Sequence, residues 1–261
     1  MTRYGARDGA RYSDREMMAI SAGRLVKNGD ILFAGTGGSM LAAMVAKRIH
    51  APKSIVFFET GGIDPLLIEL PMAVADPRVM YGTCLNSGLI EAFSIVGHRK
   101  LHTIAFLGAA QIDKFGNLNS TCIGDYAKPK IRFAGSGGAC DAASLAFGFI
   151  VFMQHEKKKF VEKLDYITSP GWLVGGDSRT KAGLSRGGPL AVVTNLGVMK
   201  FDDKTKEMFL SEYYPGITLD RISEKTGFEM DLSMAIEAIP PTDEELMILR
   251  NEVDPQRLIL D

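Results

Sequence analysis

A short apolar run, Ile31-Leu32-Phe33-Ala34, is followed by the turn Gly35-Thr36-Gly37-Gly38, a helical stripe from Ser39 to His50 and a second apolar run from Ile55 to Phe58. No other feature of this chain limits its fold as much. Apolar runs without alternation belong to strands covered on both faces. Met40, Leu41, Met44, Val45 and Ile49 fall on one side of the helix between them. Strand, glycine turn, helix, strand is a βαβ unit, and its crossover forces the two strands to run parallel.

The alternation continues along the chain. Strands are expected at residues 79–83, 103–107, 131–134, 149–153 and 190–194, and helices at 87–96 and from Ala139. Residues 198–201 and 207–211 should pair antiparallel across the turn Asp202-Asp203-Lys204-Thr205. Ser13-Asp14-Arg15-Glu16 has the form of a capping box, opening a helix through Met17, Ile20, Ala22 and Leu25 to a stop at Asn28-Gly29. Thr242-Asp243-Glu244-Glu245 is a second capping box, opening a terminal helix through Arg250. No repeat or linker divides the chain. The expectation is one α/β domain over residues 1–261, with an antiparallel and helical extension from about residue 190.

Composition excludes several classes. The 30 Lys and Arg against 31 Asp and Glu leave a net charge of −1, which is no footprint for nucleic acid. Cys84, Cys122 and Cys140 form neither a disulfide framework nor a zinc motif, which fits a reducing compartment. The first fifteen residues hold Arg3, Arg7, Asp8, Arg11 and Asp14 and have no apolar core for a signal peptide. The longest apolar stretch, 142–153, is too short for the ~20 residues that span a bilayer. A cytoplasmic protein with no membrane and no nucleic-acid partner is expected.

The glycine clusters invite a nucleotide reading, because amides at a strand-to-helix turn can hold an anion. The spacing refuses it. Gly35-Thr36-Gly37-Gly38-Ser39 is followed by Met40 and Gly135-Ser136-Gly137-Gly138-Ala139 by Cys140, where a dinucleotide fingerprint needs glycine, and neither cluster has the lysine of a P-loop. The first cluster reads as a plain turn. No metal site is expected: His98 and His102 have helical spacing but no carboxylate or thiol beside them. Lys157-Lys158-Lys159 reads as a solvated face, and neither Cys84 nor Cys140 has a histidine in partner position. Glu59 stands out. It follows the apolar run 55–58 and precedes Gly61-Gly62, at the carboxyl end of a parallel strand, where ligands of such sheets gather. From its position alone it is either a functional carboxylate or an ordinary ion-pair member.

Two longer motifs bear on that choice. Leu107-Gly108-Ala109-Ala110-Gln111-Ile112-Asp113-Lys114-Phe115-Gly116-Asn117-Leu118-Asn119-Ser120 and Arg132-Phe133-Ala134-Gly135-Ser136-Gly137-Gly138-Ala139 resemble signatures of class I CoA-transferase β subunits. Gly124-Asp125-Tyr126, Gln154-His155-Glu156-Lys157 and Thr168-Ser169-Pro170-Gly171-Trp172 are similar to the glutaconate type of that family, and the likeness runs from about Glu16 to Asp254.

The resemblance implies a three-layer α/β/α sandwich with a mostly parallel sheet, the CoA-transferase-like fold. It implies a glutamate nucleophile at Glu59, in the context Glu59-Thr60-Gly61, that passes through a glutamyl anhydride and a glutamyl-CoA thioester. Thr60 departs from the Ser or Asn of the family pattern, which leaves substrate preference open. The turn Gly135, Ser136, Gly137, Gly138 would supply amide donors to the tetrahedral intermediates. Gln111 would orient the acyl or carboxylate group, and Asn117 is either a second such group or a turn residue. Phe57, Phe58 and Ile63 would keep water from the anhydride. Coenzyme A enters as substrate, with no permanently bound cofactor, and an α subunit completes a hetero-oligomer that acts on acyl-CoA and a carboxylic acid, a dicarboxylic one by the likeness. A CoA-thioester hydrolase or decarboxylase on the same scaffold is the alternative, and a non-enzymatic partner that kept the fold is a third.

Overall fold

The computed structural model describes residues 11–184 and 186–260. Two compact units divide the chain, one running to Phe106 and resuming at Ile239, the other spanning Leu107–Ala238.

In the first unit the expected βαβ unit is present. Helix α1 (Asp14–Gly23) precedes strand β1 (Ile31–Ala34), helix α2 (Gly38–Val45) and strand β2 (Ile55–Phe57). Strands β3 (Gly62–Ile63) and β4 (Leu85–Asn86), helix α3 (Leu89–Val96) and strand β5 (Thr103–Leu107) follow. Strand β1 lies between β2 and β5 and pairs parallel with both; β3 returns antiparallel to β2, and β4 antiparallel to β3. Leu32, Phe33, Val56, Phe57, Ile104, Ala105 and Phe106 are all buried, as unalternated apolar runs require.

Two expectations fail here. Helix α1 ends at Gly23 rather than at Asn28-Gly29. Gly23 lies so close to α2 that a Cβ there would stand 2.6 Å from Val45 Cγ1, and the next turn tightens, with Leu25 N–H on Ala22 O and Val26 N–H on Gly23 O. Residues 79–83 form no strand. Asp76 caps a 3₁₀ turn at Pro77–Met80 through the Arg78 N–H, and Pro77 in its first position favours helix.

The second unit adds the pairs β6 (Gln111–Ile112) with β7 (Leu118–Asn119), and β8 (Cys122–Ile123) with β9 (Ile131–Arg132), both antiparallel. Helix α4 (Ala139–Leu145) leads into β10 (Gly148–Phe152), and helix α5 (Ser178–Lys181) precedes β11 (Pro189–Val193). Strands β12 (Gly197–Phe201) and β13 (Met208–Tyr213), helix α6 (Leu219–Lys225) and β14 (Ile236–Glu237) complete it. β10 pairs parallel with β11, then β11, β12 and β13 run antiparallel, and β14 is parallel to β13.

The chain then returns to the first unit with helix α7 (Asp243–Ile248), which continues as a π-type turn over Leu249–Val253. Both capping boxes form as expected, Ser13 with Glu16 and Thr242 with Glu245. Each capping glutamate also receives an arginine from the other helix. Arg250 donates to both Glu16 oxygens at 2.6 and 3.0 Å, and Arg24 to both Glu245 oxygens at 3.0 and 2.7 Å. Burial works to raise both carboxyls, yet these bonds hold each below the usual carboxylate value. The mixed sheets with helices over them bear out the α/β class.

Candidate active site

Glu59 lies at the tip of the tight connection between β2 and β3. Phe58 N–H bonds Gly62 O, and Gly61 N–H returns to Phe58 O at 2.9 Å, so Glu59 and Thr60 turn the chain at the carboxyl end of β2. The two glycines that follow are dictated by packing. A Cβ at Gly61, where φ is +97°, would stand 2.1 Å from Ser87 O, and one at Gly62 2.3 Å from Val79 O. Ser87 grips the turn from that side, with its N–H and Oγ both on Gly61 O at 2.9 and 3.1 Å. The Glu59 side chain is half-buried and has no hydrogen bond or ion pair among the described residues. The Thr60 Oγ1 beside it is sealed from solvent and bonds nothing, a condition few buried hydroxyls tolerate without a role. Phe57 and Phe58 are core residues at 0% and 1% exposure, with the Phe57 ring 5.3 Å from that of Phe33, whereas Ile63 is half-buried.

The second glycine cluster forms an open turn before α4. Gly135 has φ +90° and Gly137 φ +49°, and a Cβ at either would meet nothing within 4 Å. The Gly135 N–H is occupied, donating to Ser120 O at 3.0 Å, while Ser120 Oγ donates to Gly135 O. Ser136 Oγ accepts the Cys140 N–H at 3.0 Å and so satisfies one amide of the first turn of α4, whose N-cap is Gly138. The N–H groups of Ser136, Gly137 and Gly138 have no acceptor among the described residues. Any anion taken up here would meet those three amides rather than that of Gly135.

Gln111 and Asn117 have other employment. Gln111 Nε2 donates to Asp165 Oδ2 at 2.7 Å, and its Oε1 accepts Asn119 Nδ2 at 2.7 Å. Asn117 is 1% exposed and uses its whole amide: Nδ2 donates to Asp113 Oδ2 and Leu173 O, and Oδ1 accepts the N–H groups of Gly171 and Leu173. Asp113 in turn accepts the N–H groups of Phe115 and Asn117, but burial outweighs these bonds and pushes its carboxyl up. These amides bind the signature loop to the 165–173 segment.

Residues 15–225 match the family described as coenzyme A transferase. The chain belongs to that family. It is 42% identical over 253 residues to the B-type subunit of glutaconate CoA-transferase from Acidaminococcus fermentans, covering 95% of each chain. It is 36% identical over 242 residues to the B-type subunit of 3-oxoadipate CoA-transferase from Pseudomonas knackmussii, covering 92% of each. The crystal structure of glutaconate coenzyme A-transferase from A. fermentans superposes with a TM-score of 0.92 at 40% identity, covering 96% of this chain and 98% of that one. The resemblance read from the sequence, to class I β subunits of the glutaconate type, is borne out.

Among the buried charges of this CoA-transferase chain that sequence reasoning missed, Arg179 is the basic one to note. Arg179, 2% exposed, has no carboxylate partner among the described residues and donates instead to five carbonyls: Arg186 O, Pro170 O, Gly171 O, Ala143 O and Ser144 O. Burial pushes its pKa down to about 10. Two of those carbonyls end α4, where the helix dipole favours a cation. Ser178-Arg179-Thr180-Lys181 carries no signal for such a place, since its composition is that of a surface turn. Among the described residues, Cys84 is exposed, Cys140 half-buried and Cys122 buried; no cluster of three metal-ligating side chains occurs, and no helix is long and apolar enough to cross a membrane.

Proposed function

We propose that this chain is the nucleophile-bearing subunit of a class I CoA-transferase that moves CoA between an acyl-CoA and a carboxylic acid. The observation that carries this reading is Glu59: an unpaired, half-buried carboxylate on a two-glycine turn at the end of a parallel strand. A carboxylate already engaged by a cation or by several N–H groups would be a poor nucleophile. Glu59 is free to attack.

The Glu59 carboxylate attacks the thioester carbonyl, and the C–S bond breaks to give an acyl-glutamyl anhydride and CoA thiolate. The thiolate then attacks the Glu59 carbonyl, releasing the first acid as carboxylate and leaving a glutamyl-CoA thioester. The acceptor carboxylate attacks that thioester and re-forms thiolate and a new anhydride. Thiolate attack on the acyl side then yields the new acyl-CoA and returns Glu59 to its starting form. Each addition places negative charge on an oxygen, which N–H donors held in place beforehand would stabilise. The buried, unpartnered Thr60 hydroxyl supports a place for that residue beside the reacting group. Coenzyme A is substrate, and an A-type subunit is the expected partner. The relatives named for glutaconate and 3-oxoadipate both point to a dicarboxylic acid as donor or acceptor.

The test incubates the complex of both subunits with acyl-CoA, then treats it with borohydride or hydroxylamine and maps the adduct by mass spectrometry. Modification at Glu59, and loss of transfer in Glu59→Ala, is expected. Full transfer by Glu59→Ala with no adduct refutes the mechanism. Free CoA accumulating without an acceptor acid assigns the chain to thioester hydrolysis instead.

A further inference from the structure

The β2–β3 hairpin that carries Glu59 is short. Phe57 with Ile63 is its one registered pair, β3 has two residues, and β4 on the far side of β3 is equally short. A hairpin of this size is marginal without support from elsewhere. One side chain closes its base. Lys47 Nζ donates to Ser54 O at 2.7 Å and to Asp64 Oδ1 at 2.6 Å. Ser54 precedes β2 and Asp64 follows β3, so the ammonium joins the two legs five residues before and five residues after Glu59. Its three N–H donors allow one small cation to serve a carbonyl and a carboxylate together. Lys47 has a firm support of its own. Helix α2 is buried from Ser39 to Val45 and runs on as a π-type turn over Ala46–His50, closed by the Ala51 N–H on Ala46 O at 2.7 Å. Turns of that kind are rare and gather at functional sites.

Asp64 is at odds with its own backbone. Its φ is +49°, in the left-handed region that non-glycine residues use sparingly, Asp and Asn more readily than most. Glycine would remove that cost but leave Lys47 without its carboxylate. The Asp64 N–H also bonds Val56 O at 2.7 Å, so the strained residue both ends the ladder and receives the ammonium. With side chains 25% and 34% exposed, the pair is too open to add much to stability. Its value lies in geometry, since a displacement of about 1 Å at a reacting group can cost about 100-fold in rate. Ser87 holds the hairpin near its tip, at Gly61 O, and Lys47 holds it at the base.

We infer that Lys47, through Asp64 and Ser54 O, is a positioning residue for Glu59. The inference rests on the nucleophile reading of Glu59, and its test separates the two. In the complex of both subunits, Lys47→Met and Asp64→Asn should each lower kcat about tenfold or more. The calorimetric Kd for CoA should stay that of wild type. Asparagine accepts the left-handed backbone at 64, and melting should move by only a few degrees in either variant. Lys47→Arg keeps a cation with several donors and should recover most of the lost rate. Lys53→Met, the same change at an exposed neighbour, should leave kcat unaltered. The double variant should be no slower than the slower single one, because either change breaks the same contact. Hydrogen exchange read by mass spectrometry should quicken in peptides covering Phe58 to Asp64 and not elsewhere in the first unit, a readout independent of chemistry at Glu59. Wild-type kcat in both variants overturns the inference, while a Glu59 adduct in the wild-type complex still upholds the nucleophile reading. A loss of rate matched by equally weakened CoA binding, or by faster exchange throughout the unit, overturns it too. Full transfer by Glu59→Ala overturns the nucleophile reading, and with it the role of Lys47 toward that carboxylate.

Discussion

Acidifying the protein from about pH 7.5 to about pH 5.0 should remove about 2 kcal/mol of stability through one imidazole. His155 is 3% exposed and lies face to face with Phe160, ring centres 3.9 Å apart and planes 4° from parallel. Its nitrogens meet Thr226 Oγ1 at 2.9 Å and Thr194 Oγ1 at 3.3 Å, neither an anion that could hold a proton on the ring. Burial pushes its pKa from 6.5 to about 3. Between those values the unfolded chain binds a proton that the folded one refuses. The stabilisation is therefore complete above the unfolded value and lost as pH falls below it, by ~1.4 kcal/mol per unit. The interval from 6.5 down to about 5.0 gives the 2 kcal/mol. Burial also lowers His50, which adds loss in the same direction, while the carboxyls of Glu16 and Glu245 act below this window. Urea unfolding across the pH series, run on wild type and on His155→Gln, isolates the His155 share as the difference in slope. Carbon-labelled imidazole spectra give the folded pKa directly. A His155 resonance that titrates above pH 5, or identical pH slopes in the two proteins, would refute the reasoning.

Three further outcomes follow from the same geometry. Gly61→Ala must strain a positive φ and displace Ser87 O, costing at least ~2 kcal/mol; melting should drop by several degrees and transfer should fall with it, whereas full activity would show that the Glu59 turn can shift freely. Arg179→Met strands carbonyls that now share one guanidinium and should cost at least ~3 kcal/mol in denaturant, with Arg179→Lys intermediate because it keeps a cation but fewer donors; equal stability of all three proteins would refute a structural role. Asn117→Ala frees the Gly171 and Leu173 N–H groups and should cost ~3 kcal/mol or more of stability, while a rise in KM without loss of stability would return Asn117 to substrate binding.

Elements whose signal is local were legible in the sequence. Strands β1, β2, β5, β10 and β11 rise from short apolar runs, β12 and β13 from apolar stretches either side of the Asp202–Thr205 turn, and both capping boxes form between residues three apart. The failures were cases in which a distant group decides. Gly23 ends α1 because α2 approaches it, and 79–83 is apolar enough for a strand until Asp76-Pro77 sets a helical start. Nor could a capping box announce that its glutamate also binds an arginine more than two hundred residues away, as Glu16 and Glu245 do. The boxes fix where each helix begins, and the crossed arginines fix the two helices to one another.

The candidate site divides along the same line. Gln111 and Asn117 sit in a glycine-rich signature and carry side chains able to orient a carboxylate, but both amides are engaged by partners 54 residues on, Asp165 for one and Gly171 for the other. A side-chain amide has the same composition whether it faces a ligand or its own backbone, so only tertiary partners separate the two. Glu59 is different because its surroundings are built nearby. The strand before it places the turn, the glycines after it admit the Val79 and Ser87 backbone, and no cation within the described residues reaches the carboxylate. A structural glutamate would be recognised by the partner that satisfies it, as Glu16 is by Arg250. Glu59 lacks one among the described residues, and the proposed nucleophilic role needs that, because no ion pair must first be broken.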